Sequence, residues 1–133
     1  RVSRQAGCGT HAYFREAVLG KERDFKLGSV DQSGSKAVVA LVSKTPNAIG
    51  YSGMGYQTSE VKMLRVAKRA GQPGVAPTPA NAKSDSYPIT RPLLIYTVGE
   101  PAGPVRDYLN WILSAEGQNV VRELGYVSLD EHE

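Results

Sequence analysis

Only one cysteine stands in this chain of 133 residues. A single thiol excludes an internal disulfide, so Cys8 is buried and inert, reactive, or a ligand contact. The two histidines, His11 and His132, lie at opposite ends of the sequence. With one cysteine they make no recognisable metal constellation, so neither a metal nor a cofactor is expected. No apolar run approaches bilayer length, which excludes a spanning helix. The G-x-x-x-x-G-K-[ST] loop of mononucleotide sites is missing. A basic stripe interleaved with aromatics is missing too, so nucleic acid is not expected as a partner. The 16 Lys and Arg against 13 Asp and Glu give a net charge of +3, with the basic groups dispersed. That mild excess suits an anionic ligand without requiring one. The sequence has no initiating Met and no signal segment, and its abrupt start at Arg1 is expected of a processed product or a piece of a longer chain.

What is present is concentrated near the start. Arg4-Gln5-Ala6-Gly7-Cys8-Gly9-Thr10 runs directly into an amphipathic stretch, His11 to Leu19. Glycines let an anion approach the backbone, and the first amides of a helix have no backbone partner and carry partial positive charge. An arginine just upstream adds a forked, permanent charge. The local reading is an oxyanion held by the amides of Gly9, Thr10 and His11 within reach of Arg4. A plain tight turn, with Thr10 or Cys8 as an ordinary helix cap, reads equally well from these residues alone.

Other motifs compete for the same residues. Gly7 to Ala12 fits G-x-G-x-x-A, the dinucleotide fingerprint, but that needs a buried strand before it. Arg1 to Ala6 reads as too polar to be one. A phosphatase-type cysteine loop would put arginine at position 14, where Phe14 stands with Arg15 one place late. A cysteine enzyme built on Cys8 and His11 lacks a carboxylate to orient the histidine and an acid for the leaving group. No catalytic residue is assigned and the chain is not expected to be an enzyme.

Along the chain, the pattern predicts a first helix over 11–19 ending at Gly20, then a polar loop over 21–32. Ser33-Gly34-Ser35 caps a mostly buried helix over 36–44 that ends near Pro46. Ala48 to Tyr51 reads as a short strand and Gly53 to Tyr56 as a glycine-rich turn. Residues 60–66 alternate charged and apolar residues as a half-exposed strand would. Thr78-Pro79 starts a short helix. Pro92 to Val98 carries the strongest buried-strand signal, and two helices follow over 104–113 and 115–124. Helices alternating with strands indicate α/β.

Several segments, in order, resemble the phosphate-binding proteins of ABC transporters. Arg4-x-x-Gly7-Cys8-Gly9-Thr10 is similar to the family's R-x-x-G-S-G-T. Ser35 to Tyr51, Tyr87 to Tyr96, Trp111 to Gln118 and Leu124 to Val127 are similar to its later segments. The resemblance implies a partial type II periplasmic-binding-protein fold: most of the second lobe plus the C-terminal helices that return to the first. The expected division is an anion-binding α/β lobe over 1–90 and a returning strand with C-terminal helices over 91–133. The first-lobe ligand loops of the family have no counterpart in this sequence.

The resemblance implies a function and a site. The chain would be an extracytoplasmic solute-binding protein, or part of one, holding phosphate or a related tetrahedral oxyanion for ABC-type uptake. It would be periplasmic or extracellular, with a membrane anchor open for the precursor, and its partners would be transporter membrane subunits. Carried over by position, Arg4 is the charged clamp, Gly9 gives an amide, and Thr10 gives its hydroxyl and amide. Cys8 takes the place of a serine, a weak donor for a good one. Ala6 stands where many relatives have an acidic residue that orients the arginine. The alternative function is a truncated sensor or interaction module with weak or no anion binding. Because the apolar tail lacks the lobe it should cover, exchange of the tail between two copies, giving a homodimer, is a further expectation.

Overall fold

A computed structural model describes residues 1–129. Contacts divide the chain into a unit over Arg1–Arg65 and a second from Val66 onward.

The first unit is built on a short parallel sheet. Strand β1, Val2–Arg4, pairs in parallel with β2, Val30–Gln32, in the register Val2–Val30, Ser3–Asp31 and Arg4–Gln32. On its other edge the Val2 N–H donates to the Ile49 carbonyl at 2.8 Å, and Val2 forms a single parallel bridge with Gly50. β1 is therefore the middle strand, and Val2 and Ser3 are buried. The sequence reading of residues 1–6 as too polar for a buried strand is corrected here. Ser3 is tolerated inside because its hydroxyl donates to the Arg4 carbonyl at 3.1 Å and lies 2.7 Å from the Tyr51 hydroxyl. A buried polar group with partners loses little of the hydrogen bonding that water gave it. β2 is a second correction, because a strand forms inside what reads as a polar loop. It is held by backbone bonds to a buried neighbour and leaves Val30 largely exposed.

Each strand feeds a helix. α1, Gly9–Leu19, follows β1 and stops where the Gly20 amide bonds the Glu16 carbonyl at 2.9 Å. α2, Ser35–Lys44, follows β2, with Gly34 as its N-cap. The expected serine cap is not made: no side chain caps α2. α2 lays Val38, the most deeply buried apolar residue of the described chain, over the sheet. On α1, Phe14 stacks on Tyr51 with ring centroids 4.0 Å apart, while Val18 stays half-exposed. The expected strand over 48–51 shrinks to the Val2–Gly50 bridge, and a 3-10 turn over Met54–Tyr56 follows.

The second unit is mostly helix and irregular chain. No strand forms over 60–66; only Val66 makes a bridge, antiparallel to Val75. α3, Pro79–Lys83, begins as its sequence dictates, with the Thr78 hydroxyl accepting from the Asn81 amide at 3.2 Å and proline in the first turn. α4, Gly103–Leu113, and α5, Ala115–Glu123, share Ser114, which ends one helix and caps the next by accepting from the Gly117 amide. Gln118 is buried and spans the junction: its amide nitrogen donates to the Ile112 carbonyl at 2.9 Å and its oxygen accepts from the Leu129 amide at 2.6 Å. Residues 92–98 do not form the expected strand. Leu93, Leu94, Ile95, Tyr96 and Val98 are all exposed. An apolar extended segment becomes a strand only with a neighbour to accept its hydrogen bonds, and this unit provides none among the described residues.

Gly50 is where α2 meets the sheet most closely. A Cβ built there would lie 3.0 Å from Val38 Cγ1, 3.1 Å from Val42 Cγ2 and 3.2 Å from the Val2 carbonyl. Two of these atoms belong to β-branched side chains of a packed helix and the third to the central strand, so none yields cheaply. Gly50→Ala is expected to destabilise the first unit by about 1–3 kcal/mol through overpacking. Thermal unfolding followed by circular dichroism checks this; an unchanged midpoint would show that α2 lifts off the strand at little cost.

Candidate anion site

The five residues singled out in the sequence, Arg4, Cys8, Gly9, Thr10 and His11, lie on β1, the β1–α1 connection and the first turn of α1. The connection is short and tightly bonded. The Gln5 amide donates to the Gln32 carbonyl at 3.1 Å, continuing the parallel ladder one residue past the strands, and the Cys8 amide turns back to the Gln5 carbonyl at 3.4 Å. Gly7 takes φ +90°, a conformation that a side chain would strain. The chain can therefore reverse from strand to helix within four residues.

The helix start is arranged as follows. Ala12 makes the first intrahelical bond, to the Cys8 carbonyl at 3.2 Å. The amides of Gly9, Thr10 and His11 precede it. Cys8 is the N-cap, and its sulfur accepts from the His11 amide at 3.4 Å. Of the three amides expected to face an anion, that of His11 is thus engaged by a weak sulfur acceptor, and those of Gly9 and Thr10 stand ahead of the ladder. The His11 imidazole packs edge-on against Phe25, with ring centroids 5.1 Å apart. Its side chain belongs to the aromatic cluster of Phe14, Phe25 and Tyr51.

Arg4 is fixed from both ends. Its backbone amide donates to the Tyr51 hydroxyl at 3.2 Å. Its guanidinium reaches the start of α2, where Nη1 donates to Ser35 Oγ at 2.8 Å and Nη2 to the Ser33 carbonyl at 3.3 Å. Nε is buried without a partner. Sequence reasoning missed Ser35 and Tyr51 as members of this site. In the sequence Ser35 reads as part of a helix cap, and Tyr51 as the end of a short strand. Two helix N-termini thus follow directly on the C-terminal ends of adjacent parallel strands. This is where open α/β sheets present their ligand crevice. Among the described residues no group of three or more His, Cys, Asp and Glu is placed to hold a metal ion.

The layout, a parallel-stranded unit with an arginine at its strand-to-helix turns, can be set beside known proteins. The family profile described as PBP superfamily domain matches residues 1–116, and the chain belongs to that superfamily. It is 39% identical over 130 residues to the phosphate-binding protein PstS of Pseudomonas aeruginosa, covering 95% of this chain and 40% of the relative. It is 37% identical to PstS 2 of Streptococcus agalactiae, covering 97% and 45%. Among solved structures, a Streptococcus pneumoniae phosphate-binding protein of a phosphate ABC transporter superposes with a TM-score of 0.83 at 26% identity. A Clostridium perfringens chain, assigned as a phosphate ABC transporter substrate-binding protein and solved with bound phosphate, gives 0.77 at 31%. These two superpositions cover 98% and 97% of this chain but 51% of each neighbour. The chain spans about half the length of the relatives it matches. The fold is α/β, a partial type II periplasmic-binding-protein fold.

The sulfur cap suggests a direct test of the helix start. Oxygen accepts an amide hydrogen bond better than sulfur, and serine is a preferred N-cap. Cys8→Ser is expected to stabilise the first unit by about 0.5–1 kcal/mol. Chemical denaturation of the two proteins measures it; a loss of stability would mean that the sulfur contributes packing that a hydroxyl cannot replace.

Proposed function

We propose that this chain carries the second-lobe half of an oxyanion cleft and binds phosphate or a related tetrahedral oxyanion. The observation that carries the reading is that Arg4 ends the strand whose connection leads to the start of α1, where the leading amides of Gly9 and Thr10 precede the intrahelical ladder, while its guanidinium is held at the start of α2. The names of the relatives agree with it. Arg4 supplies charge, the Gly9 and Thr10 amides and the Thr10 hydroxyl supply directed donors, and Cys8 and His11 complete the turn. No bond is made or broken, so the protein acts by binding and not as an enzyme. In this reading residues 91–133 are the tail that returns to a first lobe, and the complete protein serves ABC-type uptake in a periplasmic or extracellular setting, delivering anion to transporter membrane subunits.

Calorimetric titration with phosphate tests the site. Arg4→Ala is expected to lower affinity at least roughly tenfold, because a hydrogen bond to a charged group is worth about 1.5–3 kcal/mol. Cys8→Ser is expected to leave affinity unchanged or raise it. Equal losses from both substitutions, or none from Arg4→Ala, would move the ligand elsewhere.

A second reading, a truncated sensor or interaction module, is favoured by the exposed apolar segment Leu93–Val98. A run of that kind seeks a partner strand, and a second copy of the same chain can supply one by exchanging tails. Sedimentation of the purified chain is expected to show self-association. A stable monomer that binds phosphate tightly would show that no covering lobe is needed.

A further inference from the structure

Strand β1 ends on an unfinished ladder. On the edge away from β2, the Val2 amide bonds the Ile49 carbonyl, and backbone pairing stops at the single Val2–Gly50 bridge. Amides two residues apart in a strand point to the same side, so the Arg4 amide faces that edge as well. There it meets a side chain in place of a strand, donating to the Tyr51 hydroxyl at 3.2 Å. The Arg4 carbonyl accepts from the Ser3 hydroxyl at 3.1 Å, and the two hydroxyls lie 2.7 Å apart. A hydroxyl has one proton to give. Ser3 gives its own to the Arg4 carbonyl, so the Tyr51 hydroxyl donates to Ser3. A closed circuit therefore runs from the Arg4 amide through Tyr51 and Ser3 back to the Arg4 carbonyl. Its protons all point one way round, and hydrogen bonds in such a chain strengthen one another.

The Tyr51 ring reaches a second element. It stacks on Phe14 of α1 with centroids 4.0 Å and planes 6° apart, and lies 6.0 Å from the Phe25 ring. Two residues on, the Gly53 amide donates to Ser35 Oγ at 3.5 Å, and that oxygen also accepts from Arg4 Nη1 at 2.8 Å. The guanidinium is thus held at the start of α2, while the Gly9 and Thr10 amides stand at the start of α1. Tyr51 touches both the end of β1 and the body of α1.

We propose that Tyr51 is a positioning residue for anion binding: its hydroxyl fixes Arg4 at the end of β1, and its ring fixes α1 through Phe14, without touching the anion. The inference rests on the reading of the β1–α1 turn as an oxyanion site and names the group that sets its shape. A turn containing Gly7 and Gly9 does not by itself hold a strand and a helix at one angle, because glycine restricts the backbone little. Binding donors work only when supporting contacts lock their positions. Tyrosine can serve both elements, since an apolar body carries a polar tip on a short, stiff side chain. Phenylalanine would keep the stack and leave the Arg4 amide without its acceptor.

The test is a double-mutant cycle in phosphate affinity on the chain, Tyr51→Phe, Arg4→Ala and the two combined, read by calorimetry and, for weak binders, by amide resonance shifts. Tyr51→Phe is expected to weaken inorganic phosphate roughly three- to tenfold. With Arg4→Ala already present, the same change is expected to cost less than about twofold, because the side chain being positioned is gone. A hydroxyl that only supports the fold would cost the same in both backgrounds. Phe14→Leu keeps every hydroxyl and breaks the stack. It is expected to weaken phosphate roughly twofold or more with or without the Arg4 side chain, since it acts through α1. Should Tyr51→Phe not fold, Ser3→Ala opens the same circuit from the other side and is read in the same cycle. Full phosphate affinity in Tyr51→Phe or in Phe14→Leu, or equal costs of Tyr51→Phe in the two backgrounds, overturns this inference and leaves the oxyanion site standing. An unsubstituted chain that binds no phosphate overturns both.

Discussion

Burial of β1 between two neighbours is the constraint on which the first unit depends. Its amides and carbonyls are committed on one side to β2 and on the other to the backbone of residues 49–50, with the Tyr51 hydroxyl taking the Arg4 amide. A strand bonded on both edges cannot slide without breaking both sets of hydrogen bonds. The last residue of that strand is Arg4. Its position, the turn at Gly7 and the start of α1 are thereby fixed together. Gly50 lets α2 approach closely enough to bring Ser35 to the guanidinium, so one missing Cβ connects the packing of the unit to the geometry of the site.

The helices were legible in the sequence because their signals are local. Gly20 ends α1, Thr78 and Pro79 open α3, and Ser114 separates α4 from α5, each within one turn of the boundary it sets. The sheet was not. β1 and β2 span three residues each, too few for alternation to show, and each is defined by a partner about 28 positions away. Polar Ser3 concealed β1 because the hydroxyl that satisfies it comes from Tyr51. The opposite error occurred at residues 92–98, where composition alone promised a strand. Composition reports only that a segment prefers burial; a neighbour must supply the burial and the hydrogen bonds, and here the apolar side chains face solvent.

For the site, the glycine turn and the arginine were readable, since both follow from residue type at a helix start. The anchor of the arginine was not. Ser35 lies 31 positions from Arg4, and its place in a Ser-Gly-Ser run disguised it as a helix cap. Having a neutral hydroxyl in that role changes the electrostatics of the turn. A guanidinium paired with a carboxylate would present little net charge, whereas this one keeps its own. The chain matches about half of each relative, and the apolar segment Leu93–Val98 is exposed.

The central claim is that the anion sits at the β1–α1 turn under Arg4. It is tested most directly by titrating an isotope-labelled chain with inorganic phosphate and following backbone amide and arginine side-chain resonances. The account predicts saturable shifts that are largest at the Gly9 and Thr10 amides and at Arg4 Nε–H, with Ser35 following. No shift at those positions, or a set centred elsewhere in the chain, would contradict it.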